Sequence, residues 1–317
     1  MEINNLNAIE KDIIQEKDII QEKITLPKTP NFTHLVLGGG GFMGAVYTGA
    51  FSYLYQQKEL TKNIKTVIGT SVGSVFATAF VLDIPMKEIE KYWKYIFNEN
   101  TKLYDIDVIN FLTIFDTLGI DDGIRSIQIF ADYLKQMTFL DISKKTGKDL
   151  IICATNAHNM KATYFSVNTT PNVLVIDAVN ASCAIPILVK PVRIGDTYYI
   201  DGGITDDLAI NAIPDHISSD NILIMSLSGC GITETKELSF PLLISNILTT
   251  FITNPGRTDI FKKKYKYYIP FTNIPIESVQ YKIIDDKIYI HTICDKLDKC
   301  FEIGYETMYL KIKEWSE

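Results

Sequence analysis

Residues 66–73 read Thr66-Val67-Ile68-Gly69-Thr70-Ser71-Val72-Gly73, and a helix-forming stretch runs on from Val72 to Val81. A short apolar run bounded by glycine predicts a buried strand, and the change of period after it predicts a helix. The same order occurs upstream. His34-Leu35-Val36-Leu37 runs into Gly38-Gly39-Gly40-Gly41, and a helix is expected from Gly44 to Leu54. Two strand, glycine turn, helix units in succession predict an α/β fold, with a mainly parallel sheet and helices packed on its faces.

Working outward, Lys87 to Met137 alternates apolar and charged positions at helical spacing. Further strands are expected at Leu150–Ala154, Tyr164–Val167, Tyr198–Ile200 and Ile222–Leu227, and a last helix from about Lys296 to Trp315. Residues 11–22 are a tandem hexapeptide, Lys-Asp-Ile-Ile-Gln-Glu twice over, whose period of six fits neither a helix nor a coiled coil. Three segments follow: an N-terminal tail (1–30), a core (31–230) and a C-terminal lobe packing on that core (231–317).

The chain of 317 residues is 46% hydrophobic and 22% charged, the balance of a globular protein. Its net charge of -7 excludes a general nucleic-acid binder, which needs a concentrated excess of Lys and Arg. The five cysteines, Cys153, Cys183, Cys230, Cys294 and Cys300, form no C-x-x-C pair, and an odd count fits a reducing compartment. No signal-like or membrane-spanning apolar segment is visible, so the expected location is cytoplasmic, at most peripheral on membranes.

Gly69-Thr70-Ser71-Val72-Gly73 fits G-x-S-x-G between a strand and a helix. There the serine hydroxyl stands at the strand's C-terminal edge, where the helix dipole and nearby N–H donors favour developing negative charge. A serine serving only as a helix N-cap is the alternative. Gly39, Gly40 and Gly41 are candidate oxyanion donors, because glycines let backbone N–H groups approach without a Cβ in the way. The same loop matches G-x-G-x-x-G, but a dinucleotide site expects an acid at the tip of the second strand, where Gly69-Thr70-Ser71 stands instead. Ile200-Asp201-Gly202-Gly203 supplies an acid after a strand, and the glycine pair allows close approach to a hydroxyl.

In this order, the glycine loop, G-x-S-x-G and Asp-Gly-Gly resemble the pattern of the patatin-like phospholipase family. The runs Ala181-Ser182-Cys183-Ala184-Ile185-Pro186 and Cys153-Ala154-Thr155-Asn156 are similar to it as well, so the resemblance covers about residues 33–215. It implies a three-layer α/β/α sandwich and a Ser71-Asp201 catalytic dyad, supported by Gly44, Gly69, Gly73, Gly202 and Gly203. It also implies lipid or phospholipid ester substrates, with no metal and no cofactor. Two departures stand out: Met43 occupies a position where the family usually has Arg or Lys, and Asp206-Asp207-Leu208-Ala209 replaces a stretch that often holds an asparagine and a proline.

Two other functions fit the chain order. A Ser-His-Asp esterase would draw on His291 or His216, and a catalytically silent lipid-binding protein would keep the fold without the chemistry. Lys262, Lys263, Lys264 and Lys266 interleave with Phe261, Tyr265, Tyr267 and Tyr268 and are expected to contact an anionic membrane surface.

Overall fold

A computed structural model describes residues 30–97, 104–107, 116, 118–123, 133–134, 136–227, 260–261, 263–272, 274, 279–284, 287–292 and 297–316. The hexapeptide at 11–22, Lys262 and the start of the expected C-terminal lobe lie outside these residues.

Among the described residues the main sheet has eight strands. In spatial order they are β11 (Tyr268–Pro270), β10 (Ile222–Ser226), β1 (His34–Leu37), β2 (Thr66–Thr70), β5 (Asp149–Asn156), β9 (Thr197–Asp201) and β8 (Val192–Ile194), with β6 (Lys161–Phe165) also on β5. From β11 to β5 all pairings are parallel, and β6, β9 and β8 join antiparallel. The parallel strands read as unbroken apolar runs because both of their faces are covered. Leu35, Leu37, Val67 and Ile152 belong to one buried cluster, while Val36, Ile68, Cys153 and Ile224 belong to a second. That alternation is the period of two that sends successive side chains to opposite faces.

The first cluster is covered by α1 (Ala45–Leu54), α2 (Val72–Val81), α3 (Met86–Ile96), α5 (Val175–Ser182) and α6 (Leu297–Ser316). The short α4 (Phe139–Thr146) starts on a capping box, with Thr138 and Asp141 each accepting from the other's backbone N–H. Among the described residues, the second cluster is closed by Leu208, Ala209, Tyr265 and Tyr268 rather than by a long helix. Outside the main sheet, β3 (Tyr104–Asp107) joins the hairpin of β12 (Val279–Ile284) and β13 (Lys287–Thr292), and β4 (Gly119–Asp121) pairs with β7 (Ile187–Val189).

Two features of this frame bear on function. The first is the register around β5: β2 pairs with residues 149–153 and β9 with 154–156, while β6 spans 152–156. Since β6 overlaps both partners, β2 and β9 share the opposite edge, and β9 takes over where β2 stops. Asp201, at the tip of β9, therefore arrives beside the residue that follows Thr70.

The second feature is the crossing of α1 and α6. A Cβ on Gly49 would lie 1.7 Å from the Phe301 carbonyl oxygen, and one on Gly304 would lie 1.9 Å from that of Val46. Only hydrogen fits at either position. Residues beyond 231 thus contribute an edge strand, β11, to the main sheet and a helix fastened to α1. No helix among the described residues is long and apolar enough to cross a membrane.

Candidate active site

Ser71 occupies the single-residue turn between β2 and α2 at φ 52, ψ -129. Positive φ is uncommon for a residue with a Cβ and persists only where the surroundings over-determine it. Here the restraints are explicit. The Ser71 N–H donates to Ser182 Oγ at 2.8 Å, and Ser182 Oγ donates onward to the Cys153 carbonyl at 2.5 Å. The Ser71 carbonyl accepts from Ser74 N at 2.8 Å and from Ser74 Oγ at 2.6 Å.

Although Ser71 stands at the N-cap of α2, its side chain makes no capping bond. Its hydroxyl instead donates to Asp201 Oδ2 at 2.7 Å, in a site where Ser71 is 3% exposed and Asp201 fully buried. Asp201 is held by its backbone as well: its N–H donates to the Ala184 carbonyl at 2.9 Å, and its carbonyl accepts from Thr155 Oγ1 at 2.8 Å. Its second carboxylate oxygen, Oδ1, accepts from Gly203 N at 2.8 Å.

Burial pushes the Asp201 carboxyl up from an ordinary 3.8 to about 6, against the opposing pull of the hydrogen bonds from Ser71 and Gly203. A carboxylate in this state is still ionised at neutral pH, yet it is a far better proton acceptor than a solvated aspartate.

Gly40 (φ 154) and Gly41 (φ 55) both adopt backbone that favours glycine, and the 3-10 turn Gly41–Gly44 then leads into α1. The N–H groups of Gly40 and Gly41 make no hydrogen bond to a described residue. Gly39 differs from them, because its N–H donates to Asp207 Oδ1 at 2.8 Å. The supporting glycines sit at close backbone approaches: a Cβ on Gly73 would meet the Leu37 carbonyl, one on Gly69 that of Gly73, one on Gly202 that of Cys153, and one on Gly44 the Val72 side chain. Met43 is half-buried and packs against the main core.

None of the histidines with a described side chain approaches Ser71. His34 begins β1, at the other end of the strands, and its ring nitrogen pairs with Thr33 Oγ1 at 2.8 Å. Burial and the nearby His216 hold its pKa down. His158 is exposed and accepts weakly from Tyr198 N at 3.4 Å, while His291 lies on β13 outside the main sheet. Among the described residues, no group of three or more His, Cys, Asp or Glu could hold a metal ion.

Ser182 and Asp207 carry contacts to which the sequence assigned no role. Ser182 was visible only as part of a family-like run, and Asp207 only as a departure from the family.

A serine at positive φ on the turn from strand to helix, bonded to a buried aspartate and flanked by a glycine loop, is on an α/β fold the arrangement in which a serine can serve as a nucleophile. More narrowly, the chain belongs to the patatin-like phospholipase family, whose pattern matches residues 35–213. Among its relatives, the probable lipid hydrolase 463L of Invertebrate iridescent virus 6 is 30% identical over 190 residues, spanning 58% of this chain and 64% of the viral one. Triacylglycerol lipase 4 of Saccharomyces cerevisiae is 25% identical over 218 residues, which is 60% of this chain but 23% of the yeast protein. In both cases the match spans less than two thirds of the relative. The crystal structure of VipD from Legionella pneumophila shares the fold, with a TM-score of 0.55 at 15% identity over 90% of this chain and 67% of that one.

Proposed function

We propose that this protein hydrolyses carboxylic esters of lipids, in the manner of a phospholipase A or lysophospholipase, with Ser71 as nucleophile and Asp201 as general base. The observation that carries the reading is the 2.7 Å bond from the Ser71 hydroxyl to a buried carboxylate raised to about 6. Ser71 Oγ attacks the acyl carbonyl carbon as its proton passes to Asp201 Oδ2, and the carbonyl oxygen becomes the oxyanion. The Gly40 and Gly41 amides and the N-terminus of α2 are the donors for that charge. Collapse expels the alcohol, which takes the proton back from Asp201. Water then gives a proton to Asp201, attacks the acyl-enzyme and releases the fatty acid, and the proton returns to Ser71. Lipid relatives and family membership support this substrate class.

The test is a lipid-hydrolysis panel beside fluorophosphonate labelling. Wild type is expected to be labelled at Ser71 and Ser71→Ala to be inert in both assays; activity surviving in Ser71→Ala refutes the assignment. On a soluble ester the rate should fall as pH drops through about 6, the value at which Asp201 takes up a proton and ceases to be a base.

Attachment to anionic lipid is proposed for Lys263, Lys264 and Lys266, which are exposed while Tyr265, Tyr267 and Tyr268 are buried. Between residues 263 and 268 the cations face outward and the tyrosines inward. The segment precedes β11, whose Tyr268 is in register with Ile224, so it lies at the N-terminal end of the parallel strands. Ser71 stands toward the C-terminal end: Tyr268 is level with Ile224, Val36 and Ile68, and Ser71 lies three residues farther, about 10 Å along the strand direction. Neutralising the three lysines should therefore weaken binding to phosphatidylserine vesicles and leave hydrolysis of a soluble ester unchanged. Equal vesicle binding by the variant and wild type would remove this surface from consideration.

A further inference from the structure

Asp207 is 5% exposed, and its carboxylate lies directly beneath the glycine loop. Oδ1 accepts the Gly39 N–H at 2.8 Å. A Cβ on Gly39 would come within 2.8 Å of Asp207 Oδ1 and 3.1 Å of Ser71 Cβ, and one on Gly38 within 3.3 Å of Asp207 Oδ2. The Gly39 backbone thus packs against both the Asp207 carboxylate and the Ser71 side chain, with no room for a side chain of its own.

The segment that presents Asp207 is itself held on several sides. The Asp206 N–H donates to the Gly202 carbonyl at 3.0 Å, and the Asp206 carbonyl accepts from Thr70 Oγ1 at 3.3 Å. Asp206 Oδ2 accepts from Tyr164 Oη at 2.6 Å and from Asn211 Nδ2 at 3.0 Å. Tyr47 Oη shares its one proton between the Gly38 carbonyl at 3.1 Å and that of Met225 at 3.0 Å.

We propose that Asp207 is a positioning residue for acyl transfer: by holding the Gly39 amide it fixes the loop so that the Gly40 and Gly41 amides stay turned toward the oxyanion. The inference rests on the hydrolase reading above. An amide committed to a carboxylate at 2.8 Å is not available to a second anion, so the three glycines divide their work. Gly39 anchors the loop, and the next two residues supply the donors. Asp201 and Asp207 leave the end of β9 on one short stretch, so a single piece of backbone sets both the base and the loop.

The test uses the full chain with Asp207→Asn, Asp207→Glu and Asp207→Ala. Asparagine keeps an acceptor oxygen in place without the charge. Glutamate keeps the charge but displaces it by a methylene, and alanine removes both. On a soluble p-nitrophenyl ester, alanine and glutamate should each lower kcat by about 30- to 100-fold with KM changed less than about twofold, the scale of a misplaced oxyanion donor. Asparagine should recover most of the rate, and fluorophosphonate labelling of Ser71 should follow the same order.

Hydrogen exchange across residues 38–44 should rise in the alanine and glutamate variants and stay near wild type in the asparagine variant. If the alanine variant does not fold, the contrast between glutamate and asparagine decides the matter. A glutamate variant with wild-type kcat, or an asparagine variant as slow as glutamate, overturns the proposal. Should wild type neither turn over ester nor label at Ser71, the hydrolase reading fails by itself. In that event, unchanged exchange in the alanine and glutamate variants would refute the loop-holding role, and raised exchange would leave it standing as a structural contact.

Discussion

Asp201→Asn is expected to lower ester hydrolysis by about 10³- to 10⁴-fold and at the same time to make the protein more stable at pH 8. The loss follows from hydrogen-bond polarity. In wild type both carboxylate oxygens accept, Oδ1 from Gly203 N and Oδ2 from the Ser71 hydroxyl. Asparagine has a single acceptor oxygen, which the fixed Gly203 N–H claims, so its amide nitrogen turns to Ser71 Oγ. The serine then accepts where it formerly donated, and no base remains to take its proton.

The gain in stability follows from burial. In the folded chain Asp201 holds its proton up to about pH 6, whereas its ordinary value is 3.8. Between those values the folded state binds more protons than the unfolded one, so the sign is set: the group's stabilising protonation is fully present below 3.8 and lost as pH rises through about 6. The upward shift corresponds to a penalty of about 3 kcal/mol above pH 6. Denaturation midpoints at pH 5 and pH 8 should differ less in the variant than in wild type, and an unchanged pH slope would show that Asp201 is not the buried acid responsible.

Gly304→Ala is expected to cost about 3 kcal/mol or more, at the upper end for an overpacked contact. The added methyl would meet the Val46 carbonyl at 1.9 Å, and both partners are helix backbone that cannot swing aside as a side chain can. Gly49→Ala should behave alike, from the other side of the crossing. Leu310→Ala serves as control, since Leu310 is on the same helix and 60% exposed, and it should stay within about 0.5 kcal/mol of wild type. Urea denaturation of the variants ranks them, and a Gly304→Ala variant as stable as the control would show that the helices do not cross this closely.

The elements that carry Ser71 were legible because their signals are local. The span Val72–Val81 matched the observed helix end for end, and His34–Leu37 matched its strand, since a glycine turn precedes the helix and another follows the strand. The edge strand Tyr268–Pro270 was not read, because three residues containing a proline carry no period and the strand exists only through its pairing with β10. The same physics limited the reading of the site. The pairing of Asp201 with Ser71 rested more heavily on the family resemblance than on local signals, as the bond spans 130 positions in the chain and depends on β9 replacing β2 along β5. Ser182 and Asp207 act over separations of 111 and 168 positions, and nothing in their neighbours announces a role.

The crossing of α1 with α6 also has a consequence for the order of events during translation. Helix α1 begins where the glycine loop ends, and its outer face is completed by residues 297–316. A ribosome that has already released the strands bearing Ser71 and Asp201 still retains the helix that holds α1 down. The chemistry proposed for Ser71 is thereby postponed until residues 297–316 have been made, and a product terminated before them would carry Ser71 without a settled loop beside it.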